Sequence, residues 1–267
     1  MRSALKWSRS AGSRVPHFCA NLTTLFTEHD PIARIGAAAN VGFKSVEILF
    51  PYNDDPKEIR HALDDAGVTP ILINAPPGDY AGGDRGLASL PDRKEDFAAA
   101  MKTAFQFSKT IGQPNLHVMA GLNGDRATYI ENLKHAATNA PDGLTLLIEP
   151  INNRDFPGYH LNTPEDALTV LDAVGADNLR LQLDLYHCQI MAGDLATRIR
   201  ALLPYIGHMQ IAGVPERHEP DTGEVNYPYL FDLLDDLGYE GYIGCEYHPR
   251  KTTEEGLSWF QPYRERQ

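Results

Sequence analysis

Four apolar segments in the second half of the sequence each end in a side chain with a metal-binding oxygen. These residues are Glu149, Asp184, Gln210 and Glu246, separated by 35, 26 and 36 residues. Each interval accommodates one strand, one helix and two loops. Short apolar segments bounded by turn residues predict buried strands, and alternation with helical patterns predicts that the strands are parallel. Three carboxylates and one amide oxygen at one rim favour a hard divalent cation, Mg²⁺ or Mn²⁺ rather than Zn²⁺.

Glu149 and Glu246 are the candidates for acid–base chemistry. They end the predicted fifth and eighth strands, so they lie across the mouth of an eight-stranded ring rather than side by side. Two carboxylates on opposite sides of a small substrate, with a metal between them, suit proton transfer between neighbouring carbons beside a carbonyl. Either glutamate alone is better explained by an ion pair with an arginine at the rim. Four oxygen side chains on successive strands favour the metal site.

Five further residues are candidates for binding a substrate. His187 lies three residues after Asp184 and needs a local turn to point inward, because strand residues alternate between faces. Arg85 and Arg217 lie in the two longest irregular segments, where either one could clamp a carboxylate or simply be solvated. Glu47, in the second strand, and Asn74, at the end of the third, are expected to face inward toward a substrate hydroxyl; Glu47 could instead bond an arginine.

Eight predicted strands, each followed by a helical pattern, position these residues. The pattern predicts a single (β/α)8 barrel, in which chemistry is placed at the carboxyl ends of the strands. An open doubly wound sheet is the alternative, but the segment after the first strand lacks a glycine-rich phosphate turn. The predicted strands are residues 17–22, 45–50, 70–75, 115–120, 144–150, 179–186, 207–212 and 241–247. The predicted helices are residues 32–41, 56–66, 93–111, 126–139, 164–174, 195–203, 227–237 and 253–260. The pairs Asp30-Pro31, Asp55-Pro56 and Thr163-Pro164 predict capped helix starts.

Composition limits the range of partners and compartments. The net charge of −12 argues against nucleic acid, whose binding depends on Lys and Arg. No segment approaches the ~20 apolar residues of a membrane span. Three cysteines without metal-type spacing suit a reducing, cytoplasmic setting. Residues 1–16 are basic and Ser-containing without an acidic residue, which predicts a flexible extension before a single barrel domain over residues 17–267.

Motifs along nearly the whole chain, about residues 17–259, resemble the hydroxypyruvate isomerase family. They include Asn74-Ala-Pro-Pro-Gly-Asp79, Gly83-Asp-Arg-Gly86, Leu147-Ile-Glu-Pro-Ile-Asn152, Asp184-Leu-Tyr-His187, Gly207-His-Met-Gln-Ile-Ala212 and Gly244-Cys-Glu-Tyr247. The resemblance implies a xylose-isomerase-like barrel with metal ligands at Glu149, Asp184, Gln210 and Glu246, and with the two glutamates as the acid–base pair. It also matches His187 and Arg217 to positions that contact substrate in related sugar epimerases. Ile73 stands where some members carry histidine.

The resemblance implies an isomerase that interconverts hydroxypyruvate and 2-hydroxy-3-oxopropanoate through an enediol, without an organic cofactor. Two alternatives use the same scaffold: a 2-oxo-tetronate isomerase and a ketose 3-epimerase acting on a neutral sugar. An apurinic endonuclease would need more histidine ligands and a basic face, and a non-catalytic sugar-acid sensor would not need both glutamates. A small 2-keto acid or sugar acid is the expected partner, and a homo-oligomer is compatible with the sequence.

Overall fold

The computed structural model describes residues 16–264, within which eight parallel strands close into a barrel in sequence order. Each strand pairs with the next along the chain, and β8 closes the ring against β1. The predicted (β/α)8 barrel is therefore confirmed. The strands are β1 (His17–Asn21), β2 (Ser45–Ile48), β3 (Thr69–Asn74), β4 (Asn115–His117), β5 (Thr145–Ile148), β6 (Leu179–Asp184), β7 (Ile206–Ile211) and β8 (Tyr242–Cys245).

Helices cover the outside of the barrel, and local sequence signals fix several of their ends. Asp55 and Thr163 cap their helices as predicted, with side-chain oxygens that accept from the main-chain N–H groups of Lys57 and Asp166. Gly67 ends its helix with φ of 65°, a left-handed conformation that glycine adopts without strain. The α-helices are α1 (Ala33–Asn40), α2 (Pro56–Ala66), α3 (Lys94–Ile111), α4 (Arg126–Asn139), α5 (Pro164–Val174), α6 (Leu185–Met191), α7 (Leu195–Leu202), α8 (Tyr227–Leu237) and α9 (Gln261–Arg264).

The outer faces of the strands and the helices share an apolar core, and the C-terminal segment completes it. Phe18 on β1 packs edge-on against Phe231 of α8 and Trp259 of the final helical segment, with ring centroids 5.0 and 5.2 Å apart. Phe43 stacks on Phe260 at 4.3 Å. Burial of such aromatic surface is the main stabilising contribution to a fold of this kind. The inside of the barrel, by contrast, carries the polar residues of the candidate site.

Several predicted strand and helix ends differ from the structure by one to three residues, and three of the predictions are wrong for an identifiable reason. Strand β6 ends at Asp184 instead of residue 186, because the Asp184 side chain accepts from the Tyr186 N–H at 2.8 Å and starts α6, which the sequence analysis missed. Helix α1 begins at Ala33, and Asp30 offers its main-chain oxygen to Arg34 rather than a side-chain cap. The last predicted helix is a 3₁₀ segment, Glu254–Phe260, preceded by Thr253, whose hydroxyl accepts from the Phe26 N–H.

The extension expected over residues 1–16 lies, apart from Pro16, outside the described residues. Among the helices of residues 16–264, none combines the length and the apolar character that crossing a membrane requires.

Candidate active site at the carboxyl ends of the strands

Glu149, Asp184 and His187 come together at the barrel rim. One ligand atom from each lies within 4.8 Å of the others, and all three residues are buried. Glu149 Oε1 and Asp184 Oδ2 have no hydrogen-bond partner among residues 16–264. Buried carboxylate oxygens without donors are costly unless they are protonated or neutralised by a cation. Two of the four expected metal ligands therefore already form a cluster that fits a divalent cation.

The ring orientation of His187 is set by Asn152. Asn152 Oδ1 accepts from the Asp155 N–H at 2.8 Å, which identifies its other amide atom as nitrogen, 2.6 Å from His187 Nδ1. Since Nδ1 accepts from this amide, the proton of the neutral ring is on Nε2, which lies 3.6 Å from Asp184 Oδ2. His187 thus presents an N–H donor to the site, as a substrate-contacting residue would. The turn that its inward orientation requires is supplied by α6.

Glu246 lies at the end of β8 and is linked to the cluster through Arg217 and Gln210. Its Oε1 accepts from Arg217 at 2.6 Å, and its Oε2 accepts from Gln210 Nε2 at 2.7 Å and from Asn21 Nδ2 at 3.3 Å. Gln210 Oε1, the expected ligand oxygen, accepts instead from Gln182 Nε2 at 2.6 Å. The Gln210 oxygen thus faces Gln182, while its nitrogen faces the carboxylates of Glu47 and Glu246. To act as a cation ligand, Gln210 would have to turn its amide and give up both bonds to these carboxylates.

Glu47 lies beneath the rim with both carboxylate oxygens bonded by the protein. It accepts from Asn21 Nδ2 and Gln210 Nε2, each at 2.8 Å, and Glu47 Oε2 lies 2.7 Å from His208 Nε2. Its side chain is fully buried. Gly244 gives it room, since a Cβ there would lie 2.5 Å from the carboxylate. The structure therefore places Glu47 as a support for Gln210, away from the position expected of a substrate contact. His208 is buried and is bonded to Glu47 through Nε2, while its Nδ1 has no hydrogen-bond partner within residues 16–264.

The two loop arginines occupy different positions. Arg217 is in the cluster: besides Glu246, its Nη2 lies 3.6 Å from Asp184 Oδ2, and its side chain is 16% exposed. Its Nε has no partner in the described chain. Arg85 is not brought to the carboxylates. It donates to the main-chain oxygens of Tyr80 and Asp84 and stacks over the Tyr80 ring at 4.0 Å.

Asn74 and His117 form a second polar pair at the mouth, beside Glu149. They are paired residues of β3 and β4, and both are buried. Asn74 Oδ1 and both ring nitrogens of His117 have no hydrogen-bond partner within residues 16–264. His117 Nδ1 lies 3.5 Å from Glu149 Oε2. The sequence analysis missed His117, because the apolar run of the fourth strand continues past it to Ala120, so it does not read as a strand-end residue like the other four.

Burial dominates the electrostatics of the cluster. It raises the pKa of Glu246 to about 8, opposed by Arg217 and reinforced by Asp184. It likewise raises the pKa of Asp184 to about 6 and that of Glu149 well above its usual range. Burial lowers the pKa of His187 well below its usual value, so the ring is neutral. Carboxyl groups with strongly shifted pKa values at a rim are typical of proton-transfer sites.

Comparison with known proteins places the chain in a family. Residues 35–263 match the family model of the xylose isomerase-like TIM barrel. The chain is 52% identical over 257 residues to the 2-oxo-tetronate isomerase of Cupriavidus necator, covering 93% of this chain and 99% of that protein. It is 43% identical over 255 residues to the hydroxypyruvate isomerase of Escherichia coli, covering 92% and 99%. The crystal structure of an AP endonuclease, family 2, from Brucella melitensis superimposes with a TM-score of 0.91 at 44% identity, covering 93% and 99%.

The site geometry and these relatives lead to one assignment. The closed barrel carries its polar cluster at the strand ends, where TIM-barrel enzymes place their chemistry. The segment matched by the family model, residues 35–263, contains the whole Glu149–Asp184–His187 cluster, as well as Glu47 and Glu246. The chain belongs to the xylose isomerase-like TIM barrel family and, like its curated relatives, is an isomerase.

Proposed function

We propose that this isomerase interconverts hydroxypyruvate and 2-hydroxy-3-oxopropanoate by proton transfer between Glu149 and Glu246. The observation that carries the proposal is the cluster itself: Glu149 and Asp184 offer unpartnered buried oxygens, and Arg217 joins Asp184 to Glu246. The relatives named for these activities support the choice of a small 2-keto acid.

Glu149 and Glu246 divide the proton transfers. One carboxylate takes a proton from C3 of hydroxypyruvate, and the carbonyl oxygen on C2 gains a proton to give the enediol. A proton is then delivered to C2 while the O3 hydroxyl loses its proton and becomes the new carbonyl. The net change is one proton from C3 to C2 and one from O3 to O2, without net oxidation. Burial supports these roles because it brings carboxyl pKa values toward neutral pH, where a group can both accept and release a proton.

Three other side chains orient and stabilise the substrate. His187 presents its Nε2–H to the site and would donate to a substrate oxygen. Arg217 supplies positive charge beside Glu246 and would attract the substrate carboxylate while keeping Glu246 in place. Tyr186 packs under this guanidinium, 4.9 Å from the ring centroid, and limits its movement.

The donor set fits a divalent cation held by Glu149, Asp184, Gln210 and Glu246. Such a cation would polarise the substrate carbonyl and stabilise negative charge on the enediolate oxygens. Oxygen ligands favour Mg²⁺ or Mn²⁺.

The four-carbon homologue is a second candidate substrate. The chain is more similar to the Cupriavidus necator 2-oxo-tetronate isomerase, at 52% identity, than to the Escherichia coli hydroxypyruvate isomerase, at 43%. Both acids share the carboxylate, the ketone and a neighbouring hydroxylated carbon, so the same proton transfers apply to each.

Turnover of each acid after chelation and metal add-back tests the proposal. We expect the chelated protein to be inactive, and Mg²⁺ or Mn²⁺ to restore isomerisation of at least one acid. In deuterated solvent, product formed by the metal-loaded enzyme should carry deuterium at the carbon that receives the proton, to the extent that Glu149 or Glu246 exchanges with solvent. Absence of turnover of both acids by the metal-loaded protein would refute it.

A further inference from the structure

The pair formed by Asn74 and His117 has polar atoms that make no hydrogen bond within residues 16–264. Asn74 Oδ1 and both ring nitrogens of His117 are buried and without hydrogen-bond partners. His117 is 1% exposed and Asn74 4% exposed, so bulk water does not compensate them. A buried polar group without a partner costs about 1–3 kcal/mol, so such groups persist where a ligand or a bound water satisfies them.

The two side chains lie next to each other on the inside of the barrel. Asn74 and His117 are register partners on parallel strands, and paired residues point to the same face of a sheet. The hydrogen bond from the Ala75 N–H to the His117 main-chain oxygen, at 2.8 Å, fixes this alignment at the rim. Together they offer an amide oxygen that accepts and a neutral imidazole that donates from one nitrogen and accepts at the other.

This combination matches a hydroxyl group better than a carboxylate. A hydroxyl donates one hydrogen bond and accepts others, so it can donate to Asn74 Oδ1 while it accepts from the His117 N–H. A carboxylate only accepts, so with the Asn74 amide oriented as in the structure it would leave Asn74 Oδ1 without a donor. The position of the pair also suits a hydroxyl group. Strands β3 and β4 lie opposite β7 and β8 in the ring of eight strands, and Arg217 and Glu246 follow β7 and β8, so the pair lies across the mouth from Arg217.

We propose that Asn74 and His117 bind the hydroxyl group of the substrate on the carbon beyond the carbonyl, with the carboxylate toward Arg217. This inference rests on the proposed function and adds a substrate contact, His117, that is needed to distinguish hydroxylated 2-keto acids from those without a hydroxyl. Because His117 Nδ1 lies 3.5 Å from Glu149 Oε2, the bound hydroxyl would be held beside one of the two acid–base groups.

Hydroxypyruvate and pyruvate are the probes, because they differ only by this hydroxyl. The dissociation constants of both acids are measured by calorimetry on the metal-loaded protein with and without His117→Leu, each carrying Glu246→Gln so that hydroxypyruvate is not converted during the titration. Turnover of hydroxypyruvate is measured on the proteins that keep Glu246. Loss of one hydrogen bond to a substrate hydroxyl should weaken hydroxypyruvate binding about tenfold or more. Pyruvate binding should change less than about twofold, because pyruvate lacks the group that His117 contacts.

Two further variants keep the test decisive. His117→Asn keeps a donor and an acceptor and should recover part of the preference for hydroxypyruvate, even if His117→Leu folds poorly. His135→Leu removes an exposed imidazole from α4 and should leave both dissociation constants unchanged. Metal content is measured for every variant.

The outcomes separate this inference from the function it rests on. Equal weakening of both acids, or loss of bound metal from His117→Leu with its fold intact, would overturn the hydroxyl contact. If wild type converts neither hydroxypyruvate nor the four-carbon 2-oxo-tetronate, the proposed function fails. In that case the dissociation constants still test the contact, and equal binding of hydroxypyruvate and pyruvate, or binding of neither, refutes it.

Discussion

The substitution Glu246→Gln removes a carboxylate of the proposed acid–base pair while keeping its shape. In the wild type this group accepts from Arg217 on one oxygen and from Gln210 and Asn21 on the other. Glutamine has a single acceptor oxygen, so it can satisfy only one of these two sides and turns an N–H₂ group toward the other. The bond from the Arg217 guanidinium is charge-assisted, and bonds of that kind contribute about 1.5–3 kcal/mol.

A gain of similar size offsets this loss. The pKa of Glu246 rises to about 8 from a usual value of 4.5, so folding at pH 7 is disfavoured by about 3 kcal/mol at this one group. A neutral amide does not incur that cost. The net change in the free energy of unfolding is therefore expected to be within about 1 kcal/mol, a shift in Tm of about 4 °C or less for a chain of this size.

Activity should change far more than stability. Loss of a general acid–base group typically lowers kcat about 10²–10⁴-fold. The assay compares kcat, Tm and hydroxypyruvate binding for wild type, Glu246→Gln and the control Glu216→Gln, an exposed glutamate next to Arg217. A Glu246→Gln protein with kcat within a few-fold of wild type, while Glu216→Gln is also unaffected, would refute the assignment of Glu246 as an acid–base residue.

Three other outcomes are expected. Arg217→Ala should raise KM for the keto acid at least about tenfold, and it should also lower kcat because Arg217 contacts Glu246. Arg85→Ala should raise KM less. Both variants are compared by steady-state kinetics, and equally small effects on KM would favour a neutral sugar as the substrate. In the chelated protein, the Tm of wild type minus the Tm of Glu246→Gln should fall as pH rises from about 5 to 8. The reason is that a carboxyl group with a raised pKa in the folded protein holds its proton more tightly there than in the unfolded chain, so loss of protons destabilises the folded wild type. A difference that stays constant or rises with pH would contradict this. Gly86→Ala should lower Tm more than Gly83→Ala. Both glycines have φ near 110°, but only at Gly86 would a Cβ meet a main-chain oxygen, that of Met119, at 2.4 Å. Equal Tm values for the two variants would show that the chain relieves this contact without cost.

The strand-end residues could be predicted because each follows an apolar run that the barrel must bury. Glu149 directly follows β5, Asp184 is the last residue of β6, and Glu246 directly follows β8. Periodicity and turn residues determine such positions locally. What the sequence could not supply is the partner of each group. The contacts of Gln210 with Gln182 and Glu47 join three different strands, and they decide which way its amide points.

His117 was missed for a physical reason. The apolar run from Leu116 to Ala120 predicts a strand up to residue 120, which places His117 near its middle. The chain leaves the sheet after His117 without a glycine or proline until Gly121, so no local signal marks the true end. The short helix α6 escaped notice in a similar way, since seven residues are too few for helical periodicity to stand out beside an apolar strand.

Asp184 joins the last strand residue of β6 to the first turn of α6. One oxygen of its carboxylate is committed to the Tyr186 N–H, and the other remains unpartnered in the cluster. The hydrogen bond to the backbone thus fixes the side-chain torsion angles of Asp184 before any ligand binds. The other carboxylate oxygen therefore points in one direction, and the side chain loses little rotational entropy when a ligand binds it. A glutamate at this position would place its carboxylate one methylene farther away, and the helix start and the ligand geometry would be lost together.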